Sequence, residues 1–240
     1  MHYLAFAVLL TIGPLVHTRP SSEIQVDDVI YTPEQLQFFE GNMTSRIVLS
    51  WSGYYWKKST LVYSFGVGLS SADQALVKNA MKEISSQTCV KFRKTLSSRE
   101  PQVVIQRKDA GCWSYVGYLG VTNQELNLGS GCMSSRTIQH ELLHALAFYH
   151  TQSDPQRDQY VRIYPENIKP GHKHNFNKLR AGAVTDFGLG YDYDSIMHYG
   201  PFAFSRNGNP TIIPLQANAI IGQATQLSPR DVATLNRMYC

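Results

Sequence analysis

The order of apolar and polar positions along the chain predicts an α+β domain. Short apolar runs, bounded by glycine or polar residues, predict four strands. These strands cover residues 61–65, 103–106, 111–118 and 125–128. Between the first two runs, the sequence from Ala72 to about Gln87 has the period of a helix, and Ser71 is a suitable N-cap. The predicted buried stripe of this helix consists of Leu76, Val77, Ala80, Met81 and Ile84.

Two further helices are predicted in the second half of the chain. The sequence from Ile138 to Phe148 is strongly apolar and predicts a buried helix. Near the C-terminus, Ser228 is a suitable N-cap and Pro229 suits the first helical position. The apolar face of this terminal helix is formed by Val232, Leu235, Met238 and Tyr239. The region before it is rich in glycine, proline, asparagine and tyrosine, and it predicts mostly loops.

The chain begins with an apolar run from Met1 to Val16, which is too short to cross a membrane. We interpret it as a cleaved secretory signal that ends near Thr18, although no basic residue precedes the apolar core. The alternative is a buried N-terminal strand or helix. A polar stretch follows, and then a short helix is expected to begin at Pro33 and end at Gly41. Because this stretch shows no core of its own, it is interpreted as a pro-segment.

The composition sets limits on the class of protein. At 240 residues, with 43% hydrophobic and 17% charged residues, the chain can form one domain of about 200 residues with short additions. The net charge of +4 includes no dense basic run, so nucleic acid is not expected as a partner. No segment after the N-terminal run is long and apolar enough to cross a bilayer, so a membrane is not expected either. An even number of cysteines suits an oxidising compartment, and spacing alone leaves three pairings open. The cysteines are Cys89, Cys112, Cys132 and Cys240.

The strongest chemical signal is a pair of histidines on the predicted helix from Ile138. His140 and His144 are one turn apart, so their imidazoles can reach one zinc ion. Glu141 lies beside them and can act as the general base towards a zinc-bound water, then as the acid towards the leaving amine.

A third histidine, His150, follows six residues after His144, and a continuous helix would turn it away from the other two. The helix must therefore break between them. Glycine usually stands at the break, but this chain has Ala147. If the backbone needs a positive φ there, alanine costs about 1–2 kcal/mol. Downstream, residues 195–199 (Ser-Ile-Met-His-Tyr) match a methionine turn.

These motifs resemble the astacin family of metzincin peptidases over the range from Phe39 to Cys240. The shared segments are the zinc helix, residues 111–117, 157–161, 195–200 and 203–208. The resemblance implies a two-lobed α+β domain with one zinc ion at the floor of the cleft. The N-terminal lobe would hold a twisted sheet and two long helices, and the C-terminal lobe would be mostly irregular with a terminal helix.

The resemblance also implies a role for each site residue. The ligands would be His140, His144 and His150, with Glu141 as general acid and base. Met197 would lie beneath the metal, and Tyr199 would stabilise the oxyanion of the intermediate. Ordinary core packing is the alternative for Tyr199. The implied disulfide bonds pair Cys89 with Cys240 and Cys112 with Cys132.

A precursor is also implied by the resemblance, with departures from the family pattern. The family's pro-segment motif has a zinc-binding aspartate where this chain has Asn42, which also starts a glycosylation sequon. Inhibition by the pro-segment would then be weak or steric, unless Asn42 is a loop residue without this role. The mature chain would begin at Ile47, after Arg46. The family's glutamate anchor for the new N-terminus is replaced by Thr151.

The resulting hypothesis is a secreted, extracellular zinc endopeptidase with a signal peptide (1–18), a pro-segment (19–46) and a catalytic domain (47–240). Its expected partners are protein or peptide substrates and an activating trypsin-like protease. We expect a monomer, and a minimal form of the family without C-terminal modules. The alternative is a zinc-binding homologue with feeble catalysis that acts as a binding or decoy protein, which the changes at Asn42, Ala147 and Thr151 motivate.

Overall fold

A computed structural model describes residues 23–40 and 51–240 of the protein. In this part of the chain there are four α-helices, nine strands and several short 3-10 helices. The strands are β1 (Ile24–Val26), β2 (Val29–Tyr31), β3 (Thr60–Phe65), β4 (Lys91–Lys94), β5 (Val103–Gln106), β6 (Cys112–Tyr115), β7 (Gln124–Leu128), β8 (Val161–Ile163) and β9 (Ile212–Pro214). The helices are α1 (Pro33–Glu40), α2 (Ser71–Gln87), α3 (Ser135–Ala145) and α4 (Pro229–Tyr239).

Seven strands form one mixed sheet in the order β1-β2-β6-β7-β5-β3-β4. The pairs β2 with β6, β7 with β5, β5 with β3, and β3 with β4 are parallel, whereas β1 with β2 and β6 with β7 are antiparallel. The long helices α2 and α3 pack together, and both contribute to the main hydrophobic core with β3, β5 and β7. This half of the molecule is the predicted sheet with two long helices, so the α+β, two-lobed prediction is confirmed.

The predicted elements agree with the observed ones except near their ends. Helix α2 is capped by Ser70 rather than Ser71, because the Ser70 hydroxyl accepts from the amide of Asp73 and the Asp73 carboxylate accepts from the Ser70 amide. Leu76 is 41% exposed, so its place on the predicted buried stripe was wrong. Strand β6 is shorter than predicted and ends at Tyr115.

The region from 23 to 40 is more ordered than the sequence suggested. Strands β1 and β2 form a hairpin, residues 24–31, whose turn consists of Asp27 and Asp28. Through β2 this N-terminal hairpin joins the sheet, with Val29 beside Ser114 and Ile30 beside Tyr115. The short helix begins at Pro33 as predicted. The hairpin and this helix therefore lie against the domain, although the sequence indicated no core for this stretch.

The region after α3 consists mostly of turns and 3-10 helices around a second core, and β8 pairs with β9 there. The terminal helix α4 starts as predicted, with Ser228 as N-cap and Pro229 first. Leu235 and Tyr239 of α4 are buried in the main core. A disulfide bond joins Cys89 to Cys240, and another joins Cys112 to Cys132, as the family resemblance implied.

Within the described residues, no helix has both the length and the apolar character needed to cross a bilayer.

Candidate metal centre

The zinc helix of the prediction is α3, and its N-terminus is set by Ser134, whose hydroxyl accepts from the amide of Thr137. The helix begins at Ser135 and ends at Ala145, earlier at both ends than the prediction. His140 and His144 lie one turn apart near its end, and the imidazole of His144 is fully buried. Burial lowers the pKa of His144 to about 4, so it is neutral and able to bind a metal through nitrogen.

The chain turns sharply after α3 because Ala147 has a φ of +74°. The amide of Ala147 donates to the carbonyl of His144, and the amide of Phe148 donates to the carbonyl of Leu143. This pair of hydrogen bonds is a Schellman ending, in which glycine is the usual residue with positive φ. The break brings His150 back to the two helical histidines, as the sequence required.

The three imidazoles converge through their Nε2 atoms. The Nε2 of His140 lies 3.1 Å from that of His144 and 3.3 Å from that of His150. Nitrogens bound to a tetrahedral zinc at about 2.0–2.1 Å are about 3.3–3.4 Å apart, which is close to these distances. The histidines His140, His144 and His150 therefore fit one zinc ion.

Backbone carbonyls fix the orientation of the two helical imidazoles. The Nδ1 of His140 lies 2.9 Å from the carbonyl oxygen of Ile196, and the Nδ1 of His144 lies 2.9 Å from that of Phe148. Because a carbonyl can only accept, each Nδ1 carries the proton and each Nε2 keeps its lone pair free for a metal.

A carboxylate that the sequence analysis did not single out completes this group. An Oδ atom of Asp28, in the turn of the N-terminal hairpin, lies 3.0 Å from the Nε2 of His150 and another lies 3.1 Å from that of His140. The distance to His144 is 3.5 Å. Burial alone would raise the pKa of Asp28, but the charge of His150 and the close approach of the other two imidazoles hold it well below its usual range. Asp28 thus lies where a fourth ligand of a tetrahedral ion would lie.

A sequence signal for Asp28 does exist. An alternating stretch, Ile-Gln-Val at 24–26, and an apolar run at 29–31 flank the Asp27–Asp28 pair, and this arrangement is compatible with two short strands joined by a turn. The predicted switch position, Asn42, lies outside the described residues, as do Arg46, Ile47 and the signal segment up to Thr18.

Glu141 lies beside the imidazoles and is almost fully buried, at 1% exposure. Its Oε2 has no hydrogen-bond donor among the described residues. Burial, and then the charges of Asp28 and Asp27, raise the pKa of Glu141 well above its usual range. An unpaired buried carboxyl oxygen next to a metal site is suited to receive a proton from a water molecule.

The predicted methionine turn contacts the zinc helix through Ile196 and the segment after His150 through Met197. Met197 is buried in the main core, and its carbonyl accepts from the amide of Thr151, next to His150. The ring of Tyr199 lies 4.6 Å from that of His150, measured between centroids. The Tyr199 hydroxyl donates to the carboxylate of Asp27, the other residue of the hairpin turn. Burial and this carboxylate raise the pKa of Tyr199 far above its usual range, so the hydroxyl keeps its proton.

A cavity of about 570 Å³ adjoins the imidazoles and is bounded by the hairpin, β6 and α3. Its walls include Asp27, Asp28, Trp113, His140, Glu141 and Tyr199. The structure thus places Glu141 and Tyr199 at one open space beside the metal centre. The hairpin occupies the same space through its two carboxylates.

Comparison with known proteins gives one consistent result. The model of the peptidase family described as Astacin matches residues 50–240. Zinc metalloproteinase nas-15 of Caenorhabditis elegans is 40% identical over 184 residues, which cover 77% of this chain and 32% of the relative. Zinc metalloproteinase nas-4 of the same organism is 32% identical over 233 residues, which cover 96% of this chain and 74% of the relative.

A solved structure is also similar. High choriolytic enzyme 1, a hatching enzyme zinc-protease from Oryzias latipes, superposes with a TM-score of 0.72 at 36% sequence identity. The match covers 78% of this chain and 95% of that one. By contrast, the present chain spans only about a third of the length of the first relative, nas-15.

Proposed function

This chain belongs to the astacin family of zinc metalloproteinases, and from this premise we propose that it is a secreted endopeptidase made as an inactive precursor. Members of the family hydrolyse peptide bonds, and the chain has a three-histidine group able to bind one zinc ion. The observation that carries the proposal is the convergence of three Nε2 atoms, 3.1 and 3.3 Å apart, beside the buried carboxyl of Glu141.

In the proposed reaction His140, His144 and His150 hold the metal. Zinc bound there supplies a Lewis acid that polarises the scissile carbonyl and acidifies water. Glu141 takes a proton from the attacking water and passes it to the leaving amine. The hydroxyl of Tyr199 donates a hydrogen bond to the oxygen that becomes negative, and Met197 packs under the site.

The central test is casein digestion by protein that has been treated with trypsin. We expect activity that a chelator removes and zinc restores. Glu141→Gln should lose nearly all activity, on the order of a thousandfold or more, while keeping its zinc and its melting temperature. A wild-type protein that binds zinc and cleaves no casein would instead support the binding or decoy alternative.

The structure argues against one motive for that alternative. Ala147 departs from the usual glycine, yet its positive φ still brings His150 to the other ligands. The changes at Asn42 and Thr151 still support the binding or decoy alternative. The casein assay decides between the two functions.

For latency, we propose that Asp28 takes the place of the water that the reaction needs. Its carboxylate lies within 3.0–3.5 Å of all three Nε2 atoms, which is the position of a fourth ligand. The neighbouring Asp27 accepts from the hydroxyl of Tyr199 and so occupies the donor intended for the oxyanion. Both contacts come from one two-residue turn, so departure of the hairpin would free both groups together.

The precursor is tested with Arg46→Gln, which prevents cleavage at the proposed site. In that background we expect Asp28→Asn to raise peptidase activity at least tenfold, because a neutral amide is a weaker zinc ligand than a carboxylate. Asn42→Asp should change activity by less than Asp28→Asn does. If Asn42→Asp abolishes residual activity and Asp28→Asn has no effect, the switch lies at position 42 after all.

Activation is proposed to follow cleavage between Arg46 and Ile47, and secretion to follow removal of residues 1–18. The two disulfide bonds suit an oxidising compartment. N-terminal sequencing of the active form from secreting cells should start at Ile47. A glycosidase should shift the mass of the precursor but not of the Asn42→Gln variant, because Asn42 is the proposed glycan acceptor.

A further inference from the structure

The backbone that carries Tyr199 is held by a residue of α3 that is not a metal ligand. Arg136 lies one turn before His140, so both side chains project from the same side of the helix. Its Nε donates to the carbonyl of Ala224 at 2.7 Å, and its Nη2 donates to the carbonyl of Gly222 at 3.4 Å. Arg136 thereby ties residues 222–224 to the zinc helix.

Gly222 lies directly against the backbone at Tyr199. Its φ is +71°, and a Cβ placed there would lie 2.2 Å from the Cα of Gly200 and 2.9 Å from the carbonyl carbon of Tyr199. Contacts of this length are impossible for real atoms, so only glycine fits without a backbone shift. Segment 222–224 therefore forms a wall behind the Tyr199–Gly200 peptide.

Two hydrogen bonds hold the backbone amide and carbonyl of Tyr199. The amide of Tyr199 donates to the Oε1 of Gln152 at 3.3 Å, and its carbonyl accepts from the Nδ1 of His198 at 2.8 Å. Gln152 and His198 are both buried, and His198 is fixed on its other side by the hydroxyl of Tyr191 at 2.7 Å. The backbone of Tyr199 is thus restrained at its amide, at its carbonyl and along one side.

We infer that Arg136 and Gly222 are positioning residues for Tyr199. They fix the backbone of Tyr199 relative to α3. The Tyr199 hydroxyl can then leave Asp27 and reach the oxyanion only by rotation of its side chain. A hydrogen-bond donor acts on a transition state only when it is placed to within a fraction of an ångström, so loosening this wall lowers turnover. The inference rests on the proposed role of Tyr199 as that donor.

The experiment compares mature wild-type protein with Arg136→Gln, Arg136→Lys, Tyr199→Phe and the double variant Arg136→Gln/Tyr199→Phe, on one quenched peptide substrate. Tyr199→Phe should lower kcat by about a hundredfold. Arg136→Gln should lower kcat by about tenfold with KM nearly unchanged, and Arg136→Lys should restore most of it because an ammonium can still donate to a carbonyl.

The double variant Arg136→Gln/Tyr199→Phe shows whether Arg136 acts through Tyr199. If Arg136 acts through Tyr199, Arg136→Gln should change kcat by less than about twofold once the hydroxyl is gone. An equal loss in both backgrounds, or a rise in KM alone, would overturn the inference. If Tyr199→Phe leaves kcat unchanged, the proposed role of Tyr199 fails instead.

Two controls protect the interpretation. Arg237→Gln removes an arginine of α4 that also donates to a loop carbonyl, that of Phe187 at 2.7 Å, and it should leave kcat unchanged. Zinc content should be equal in all variants. Gly222→Ala, if it folds, should lower kcat in the same Tyr199-dependent way. A normal kcat in a folded Gly222→Ala protein would contradict the inference.

Discussion

At the scale of single residues, Ala147 ends helix α3 with a backbone conformation that is unfavourable for alanine. The turn after α3 must have a positive φ for His150 to reach the other imidazoles, and Ala147 has a φ of +74°. A Cβ in this region approaches the carbonyl of its own peptide, which costs about 1–2 kcal/mol. The surrounding hydrogen bonds, including that from the Gly117 amide to the His144 carbonyl at 2.9 Å, keep the turn in place.

Replacing Ala147 with glycine should therefore stabilise the protein. We expect the free energy of unfolding to rise by about 1 kcal/mol, because relief of the strain exceeds the entropy that glycine adds to the unfolded chain. Urea unfolding followed by circular dichroism measures the change. Ala145→Gly is the matched control, since Ala145 is the last residue of α3 and should lose about 1 kcal/mol on the same substitution. Destabilisation by both changes would show that φ at position 147 is not strained.

At the scale of elements, helix α4 and the methionine turn hold one another in place. Asp231, in the first turn of α4, accepts from the Ser195 hydroxyl at 2.7 Å and from the Ile196 amide at 3.0 Å. The carbonyl of the same Ile196 accepts from the Nδ1 of His140. A buried carboxylate in α4 is thus connected through one residue to a proposed zinc ligand, which gives the terminal helix a direct part in the geometry of the site.

The protonation of Asp231 should make stability depend on pH. Burial is the largest cause that raises the pKa of Asp231, from 3.8 to about 6, while its hydrogen bonds oppose the rise. Because the pKa of Asp231 is higher in the folded than in the unfolded protein, protonation of Asp231 stabilises the fold. This contribution is fully present below about pH 4 and is lost as the pH rises through about 6. The loss amounts to about 3 kcal/mol at 1.36 kcal/mol for each pH unit.

Urea unfolding at several pH values between 4 and 7 measures this effect, with Asp231→Asn as the matched variant. The amide can still accept from Ile196 and Ser228, and it can donate to the Ser195 oxygen. We expect the decrease in stability over this range to be smaller in Asp231→Asn than in the wild type. If the stability of the two proteins changes with pH in parallel, the protonation of Asp231 does not cause the decrease over this range.

At the scale of the whole molecule, the disulfide bond with the larger sequence separation connects the end of α2 to the end of α4. Cys89 follows α2 and Cys240 follows α4, so the bond closes a loop with a sequence separation of 151. The bond between Cys112 and Cys132 closes a separation of only 20. Chain entropy gives about 5 kcal/mol for the first bond and about 3 kcal/mol for the second, both as upper values.

The loss of stability on removal of each disulfide bond should follow the order of these loop entropies. We expect Cys89→Ser/Cys240→Ser to lower the free energy of unfolding more than Cys112→Ser/Cys132→Ser does, by about 2 kcal/mol. Chemical denaturation of the two double variants, each compared with the wild type, tests the order. A larger loss for the short loop would mean that contacts in the native state, rather than chain entropy, determine the effect.

Local elements were predictable because short-range contacts decide them. Helices α2 and α4 were recognisable in the sequence: α2 begins one residue earlier than predicted, with Ser70 as its cap, and α4 has the predicted cap and start. Leu76 was assigned wrongly to the core. A periodic pattern shows which side of a helix a residue lies on, but it does not show how much of that side is covered by the rest of the fold. Strand β4, with three charged residues in four, was missed because pairing with β3 rather than its own pattern makes it a strand.

The amino-acid sequence by itself predicted the pair His140 and His144, the neighbouring Glu141, and the need for a break near Ala147 before His150 could join them, because these follow from spacing along one short segment. Only the tertiary structure decided that Asp28, 112 residues before His140, lies among the imidazoles. It also decided that Ile196 connects Asp231 to His140 and that Gly222 lies against the backbone of Tyr199 and Gly200. These contacts join residues far apart in the chain, and packing of the complete fold brings them together.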